Sequence, residues 1–433
     1  MTSRDYFKGK RVALIGLGHN GEMVEDARFL IKAGAILSVY DLQSEAKLKS
    51  YLVFLRGEGL ANYVCGSIPM DDLVDMDLII LSHEYPRDSS FLTLAKKENI
   101  QIEYPETLFF RLAPPLTVVG IMGMCGKTSL ISMLRPMLEK VSDSVFTADH
   151  ESGKGILSFL RKAKNGDILI LKITDIIFNE LREVRISPQV AIFTTVPQKG
   201  TYADSPFEIL DFQTYNNFII ASDEIIDATR LYRFQPKAKM LRTKPSLITE
   251  EFDFKGRTHD RENAALSFQA ARLFKVPDDF IQEILSNWKP LKGRIELIKK
   301  IKGIEFYNDS ASVNPASTIA SIISLSLNRN IILILGGAES GFDYRELHAI
   351  LPQYVHTVIL IPGSGTMKER RTIERLDHVE VMSVPSIEEA TVLAREHARS
   401  GDKILFSPGF SANGIDPSRK DRGERFVKSV RGL

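Results

Sequence analysis

Short, almost unbroken apolar runs alternate with longer amphipathic ones along this chain. RVALIGL, ILSVYD and DLIILS, all within the first hundred residues, are rich in branched side chains. Runs that are apolar at successive positions, not at alternate ones, predict parallel strands covered on both faces. Between the first two lies GEMVEDARFLIKAGA, where Met23, Phe29, Leu30 and Ile31 suit the buried stripe of a helix. Strand, helix and strand in this order predict a βαβ beginning and a parallel sheet.

The pattern restarts after Pro114-Pro115. VVGIM reads as a strand, GMCGK as a tight loop and TSLISMLRPML as a helix, with further strands at DILILK and QVAIFTT. HDRENAALSFQAARLF reads as a strong helix, with Ala264, Ala265, Phe268, Ala271 and Leu273 on or near one face. A third stretch opens near KPLKGRIELI, and its runs IILILGG, TVILIPG and DKILFSPG each end in a glycine or proline turn. The pattern predicts an α/β protein of three domains, with boundaries near residues 113 and 292.

Composition agrees with that division. At 433 residues the chain exceeds one ordinary domain. Its 44% hydrophobic and 26% charged residues are those of a soluble globular protein. The net charge of +1, from 56 basic and 55 acidic residues, leaves no electrostatic footprint for nucleic acid or an anionic membrane. Two cysteines, Cys65 and Cys125, are too few for a disulfide framework and fit a reducing compartment. The opening residues lack a signal-peptide pattern, and no stretch is long and apolar enough to span a bilayer. We expect a cytoplasmic protein, monomeric and without a nucleic-acid or membrane partner.

Two glycine segments carry candidate phosphate chemistry. Gly16, Gly18 and Gly21, with Leu17, His19 and Asn20 between them, follow a strand and open a helix, the context of a dinucleotide fingerprint. Asp41 ends the next strand, where such folds place an acid on a ribose. The alternative is that these glycines only let strand and helix pack closely. The second segment runs from Gly120 through Gly123 and Gly126 to Lys127, Thr128 and Ser129. A glycine loop between strand and helix turns backbone N–H groups onto phosphate oxygens. Lys127 then reaches the terminal phosphates, and the Thr128 hydroxyl is a Mg²⁺ ligand. The first glycine stands one residue further out than in the generic pattern.

Other polar residues are open to two readings. His259, Asp260, Asn263 and Arg294 stand near a domain junction, as ligand contacts or as helix-start and surface groups. YNDSASVNPAST follows a strand; Asp309 suits a ribose hydroxyl, and Asn308, Asp309 and Ser310 equally suit turn chemistry. Gly336-Gly337 and Ser407-Pro408-Gly409 end strands where open parallel sheets form their ligand crevice. Arg419, Lys420, Arg422 and Arg425 alternate with acids and read as a solvated helix face. No His/Cys cluster has metal-ligand spacing, and no nucleophile elbow is present.

Taken in order, GIMGMCGKTS, HDRENAALSFQAA, WKPLKGRIELI, EFYNDSASVNPAST, LILGGAESGFDY and LFSPGFSANGIDPSRKDRGERF resemble the Mur ligase family, and within it the branch that adds D-glutamate. The resemblance covers nearly the whole chain. It implies a Rossmann-like UDP-substrate domain over 1–113, a central P-loop ATPase-like domain over 114–292 and a Rossmann-like amino-acid domain over 293–433. It implies ATP and Mg²⁺ as cofactors, with UDP-N-acetylmuramoyl-L-alanine and D-glutamate as substrates. Carried onto this sequence, it assigns ATP to Gly120, Gly123, Gly126, Lys127, Thr128, Ser129, Asn263, Arg294 and Asp309. The UDP end falls to Gly16, Gly18, His19, Asn20, Gly21 and Asp41, and a metal ligand to Thr128. Lys127 and Thr128 are the expected catalytic pair.

The departures are as specific as the matches. Lys172 stands where the family has a metal-binding glutamate, and Lys199 falls near its histidine. The lysine that the family carbamylates has no clear counterpart. Two cations there would repel Mg²⁺, or would themselves supply a metal's charge beside the phosphates. Ala311, Ser340 and Ala412 fall where the family has two lysines and a serine near the amino acid. Three readings stay open: a D-glutamate-adding ligase, a ligase of the same fold for another amino acid, and a non-catalytic nucleotide-binding partner of a true ligase. A plain NAD-dependent dehydrogenase fits poorly, because the second glycine loop would then have no task.

Overall fold

The structure is a computed structural model. It describes residues 3–433 apart from 19–20, 84, 86–88, 150–153, 197–204, 249–251, 255, 257, 327, 340 and 413–418. The fold is α/β with three sheets. The first holds β1 (Arg11–Ile15), β2 (Ile36–Asp41), β3 (Asn62–Cys65), β4 (Leu78–Leu81) and β5 (Gln101–Glu103), ordered β3-β2-β1-β4-β5 and parallel throughout. That is the Rossmann order over its first five strands.

The second sheet holds β6 (Thr117–Met122), β7 (Val145–Ala148), β8 (Ile168–Lys172), β9 (Val190–Phe193), β10 (Phe218–Ser222) and β11 (Lys239–Thr243). Its order is β11-β10-β9-β6-β8-β7, again parallel. The third holds β12 (Glu296–Ile301), β13 (Ile304–Asn308), β14 (Ile331–Leu335), β15 (Val355–Leu360), β16 (Glu380–Ser383) and β17 (Lys403–Phe406). Here β12 is an antiparallel edge strand on β13, and the other pairs are parallel.

By packing, the chain forms two compact units. One comprises Met1–Gly123, Leu130–Leu247 and Ala265–Ile281; the other comprises Met124–Ser129, Ile248–Ala264 and Gln282–Leu433. The first unit therefore contains the first two sheets. Its helices Val24–Lys32 and Pro105–Leu112, from the first sheet's layer, pack on the 3-10 turn Ile156–Arg161, and Pro105–Leu112 also packs on helix Asp175–Glu183. Asp26 accepts the Leu157 N–H at 2.8 Å across this layer. Gly155 lies so close that a Cβ there would fall 2.3 Å from the Asp26 carboxylate.

In the second unit, strand pleating sorts the core. On β14, Ile331, Leu333 and Leu335 enter one cluster while Ile332 and Ile334 enter the other, so each face of the sheet is apolar. Helices start where the sequence caps them. Asn314 accepts the Ser317 N–H and Pro315 occupies the first turn; Ser386 likewise accepts the Glu389 N–H. Arg422 corrects the sequence reading. It is 2% exposed and donates to the carbonyls of Ser411 and Phe410, so it is not on a solvated face. Arg425 pairs with Glu388 as a surface ion pair.

Phe406 is fully buried and stacks on Phe426 with ring centroids 5.0 Å apart. Phe406→Ala should lower the unfolding free energy of the second unit by ~3–5 kcal/mol, read by urea denaturation.

Candidate nucleotide site

Parallel strands present their carboxyl ends together, and both glycine loops leave such ends. At the first, Gly16 and Gly18 both have φ of 85°. The Gly16 N–H donates to Tyr40 O at 2.7 Å, continuing the strand pairing into the loop. A Cβ at Gly16 would meet the Tyr85 ring at 2.5 Å, and one at Gly21 would meet Tyr51 at 2.7 Å. Asp41 is turned inward: one carboxylate oxygen accepts the Leu17 N–H at 2.9 Å and the other the Gln43 N–H at 2.8 Å. Its observed task is to hold the glycine loop against β2. His19 and Asn20 lie outside the described residues. The two tyrosine walls had no motif to announce them.

The second loop leaves β6. Gly120 is inside that strand, where a Cβ would strike Ile173 and Pro188 at 2.7 and 2.8 Å. Gly120 thus serves close packing within the sheet, which explains why it stands one residue too far out for a phosphate loop. Gly123 has φ 125°, and a Cβ there would fall 2.3 Å from Thr194 Oγ1. Thr194 in turn donates its hydroxyl to Met122 O at 3.0 Å.

In the second unit, the remaining loop residues meet the distant groups that the sequence singled out. Gly126 has φ 84°, and a Cβ would lie 2.9 Å from the Asn263 side-chain oxygen. Lys127 begins the helix Lys127–Leu138, and its neighbour Thr128 accepts a hydrogen bond from the Arg294 guanidinium at 3.1 Å. Ser129 and Asp260 are buried. Thr258 and His259 begin the helix Thr258–Leu273, and the His259 side chain lies outside the described residues.

Arg294 is presented by a tight turn. Gly293 has φ 70° and Ile295, a β-branched residue, has φ 48°. That conformation is costly for isoleucine and persists only where surroundings hold it. Glu296 accepts the Gly293 N–H at 2.9 Å, and Asp309 accepts the Ile295 N–H at 3.0 Å. The second Asp309 oxygen accepts the Ser407 hydroxyl at 2.7 Å. Burial pushes the Asp309 carboxyl above its usual range, against hydrogen bonds from Ser312, Ser321, Ser407 and the Ile295 N–H. Both oxygens are engaged within the protein, so its geometry serves the turn beneath Arg294.

Residues 293–410, which include all of the third sheet, match the family described as Mur ligase, glutamate ligase domain. This region is a Mur ligase C-terminal domain. The whole chain is 28% identical to UDP-N-acetylmuramoylalanine–D-glutamate ligase from Borreliella afzelii, over 98% of each. A murein peptide ligase from Psychrobacter arcticus shares the fold with a TM-score of 0.58 at 14% identity, over 98% of this chain and 99% of that one. The Thermotoga maritima MurF ligase, solved in complex with ADP, does so with a TM-score of 0.55 at 15% identity, over 99% and 97%.

The departures from the Mur ligase pattern are structured features. Lys172, ending β8, is 5% exposed, and its ammonium lies 3.2 Å from both carboxylate oxygens of Asp149, just past β7. An ammonium therefore stands at the carboxyl end of β8, the neighbour of β6, which leads into the second glycine loop. Ala311 gives its N–H to Gly293 O at 3.0 Å, and Ala412 is buried. Lys199 and Ser340 lie outside the described residues. Among those residues, one group has ligand atoms close enough for a metal: His83, Glu106 and Glu180 in the first unit. They are far apart in sequence, so ligand spacing could not reveal them.

Gly126→Ala places a side chain in a left-handed conformation and against Asn263. It should weaken ADP binding by about tenfold or more, since 1.4 kcal/mol is one decade. Calorimetric titration with ADP checks this, and unchanged affinity would remove the loop from the site.

Proposed function

We propose that the protein is an ATP-dependent amide ligase that joins D-glutamate to UDP-N-acetylmuramoyl-L-alanine, a step of peptidoglycan precursor synthesis in the cytoplasm. The observation that carries this reading is the hydrogen bond from Arg294 to Thr128, beside a Gly126–Asn263 contact that leaves no room for a side chain. In this reading residues 1–113 bind the UDP substrate, 114–292 bind ATP, and 293–433 bring the amino acid. No helix among the described residues is long and apolar enough to cross a membrane.

The chemistry follows from charge. A substrate carboxylate oxygen attacks the terminal phosphorus of ATP, and ADP leaves with the electrons of the broken P–O bond. The amine then attacks the acyl phosphate carbon, loses a proton, and phosphate departs. Phosphoryl transfer of this kind depends on positioning and on cations that neutralise developing charge. In this reading Lys127, at the helix N-terminus, and Arg294 do that work. Mg²⁺ suits the Thr128 hydroxyl, since this ion takes few protein ligands and fills its shell with phosphate oxygens and water. It would shield the phosphate charge. Lys172 supplies a fixed positive charge at the end of β8, where a carboxylate would hold a further metal.

A second reading, the same reaction with a different amino acid, is favoured by Ala311 and Ala412, which carry no charge for a second carboxylate. Both readings are tested by phosphate release with ATP, Mg²⁺, UDP-N-acetylmuramoyl-L-alanine and D-glutamate. Release should require both substrates and vanish in Lys127→Ala. Release with another amino acid in place of D-glutamate establishes the second reading, and none with any amino acid, in protein that still binds ADP, rejects ligation. Lys172→Met should slow turnover by ~10²-fold, the usual loss for one electrostatic group; unchanged turnover would reject its role.

A further inference from the structure

His83 follows β4 and lies, partly buried, between two carboxylates from different layers of the first unit. Its Nε2 lies 3.1 Å from Glu106, on helix Pro105–Leu112. Its Nδ1 lies 2.8 Å from Glu180, on helix Asp175–Glu183. The ring stacks on Tyr104 with centroids 5.8 Å apart and planes 6° from parallel. Glu106 and Glu180 are essentially removed from solvent. Ligand atoms of the three residues lie within 4.8 Å of one another, but each ring nitrogen also has a carboxylate of its own. A carboxylate beside each ring nitrogen favours a proton on both, and only the protonated ring provides that.

We propose that His83 is held as an imidazolium that straps helix Pro105–Leu112 to helix Asp175–Glu183, tying the layers of the first two sheets together through one exchangeable proton. Asp26, on helix Val24–Lys32, is a further titratable group in this layer; it accepts the Leu157 N–H and feels the charges of Glu106 and His83. Its half-buried neighbour Glu25 adds a smaller like charge.

The electrostatics agree in sign. Burial lowers the His83 pKa, but the charge and hydrogen bond of Glu106, with those of Glu180, outweigh it and hold the group at about 11. Burial raises Asp26 to about 8, against the Leu157 N–H. Both groups bind a proton more tightly folded than unfolded. Stability from His83 is therefore complete below about 6.5 and lost as pH rises through about 11. The Asp26 contribution disappears between about 4 and about 8. The strap is base-labile, and Asp26→Asn should flatten the part of the pH dependence below about 8.

The test is nitrogen NMR of the full-length protein labelled at histidine, with His83 assigned from a His83→Gln spectrum. Both His83 ring nitrogens should stay protonated from pH 6 to pH 9, with no midpoint near the ordinary histidine value. A midpoint there, with one nitrogen deprotonated, overturns the proposal. So does a stoichiometric divalent metal whose chelation alters the His83 signals. Hydrogen exchange supplies an independent reading. His83→Gln should speed exchange in helices 105–112 and 175–183 by on the order of tenfold or more, leaving β13, β14 and β17 unchanged. Equal exchange in both proteins also overturns it.

Discussion

A parallel strand buried on both faces can offer chemistry only where it ends. Every backbone group along it is committed to the ladder and every side chain to a helix layer, so polar function is confined to the loops at the carboxyl edge. That constraint organises all three sheets. It sets Gly16–Gly21 beyond β1, Gly123–Thr128 beyond β6 and Ser310–Asn314 beyond β13. It also explains the internal duties of polar residues there. Asp41, Thr194 and Asp309 each bind backbone or hydroxyl groups that would otherwise be stranded at a strand end.

The elements were legible in the sequence because such strands announce themselves. IILIL and ILILK are apolar at nearly every position, and both are strands whose five residues are all buried. The Gly-Lys-Thr loop was legible because a glycine-rich turn between strand and helix is a recognisable pattern, and Gly126 does adopt a left-handed conformation. Arg294 and Asn263 were read as candidates, and they meet Thr128 and Gly126 respectively. The direction in which a carboxylate points was not legible. Asp41 and Asp309 stand at or just past the carboxyl ends of strands, yet both face backbone N–H groups, because a side chain's partner depends on chain segments folded against it. Arg422 misled for the same reason: charge alternation cannot show that a guanidinium faces inward.

The least legible features join elements distant in sequence. His83, Glu106 and Glu180 form no spacing pattern, and Lys172 finds Asp149 only because β7 and β8 are neighbours in the sheet. Both clusters place charge in protected surroundings, where a lost partner costs far more than at the surface. The two differ in what neutralises them. Lys172 meets Asp149 between neighbouring strands of one sheet, whereas His83 bridges two layers.

The turn that carries Arg294 has a consequence for recognition. Its guanidinium hangs on three residues whose backbone torsions are fixed by Glu296 and Asp309, including an isoleucine in an unfavourable region. A flexible arginine would surrender its freedom when a ligand arrived, and affinity would fall by that amount. Here the backbone beneath Arg294 is set as the chain folds and the Thr128 hydroxyl already holds the guanidinium, so part of that freedom is lost beforehand. Preorganisation of this kind converts backbone strain in the resting protein into a smaller penalty at each encounter.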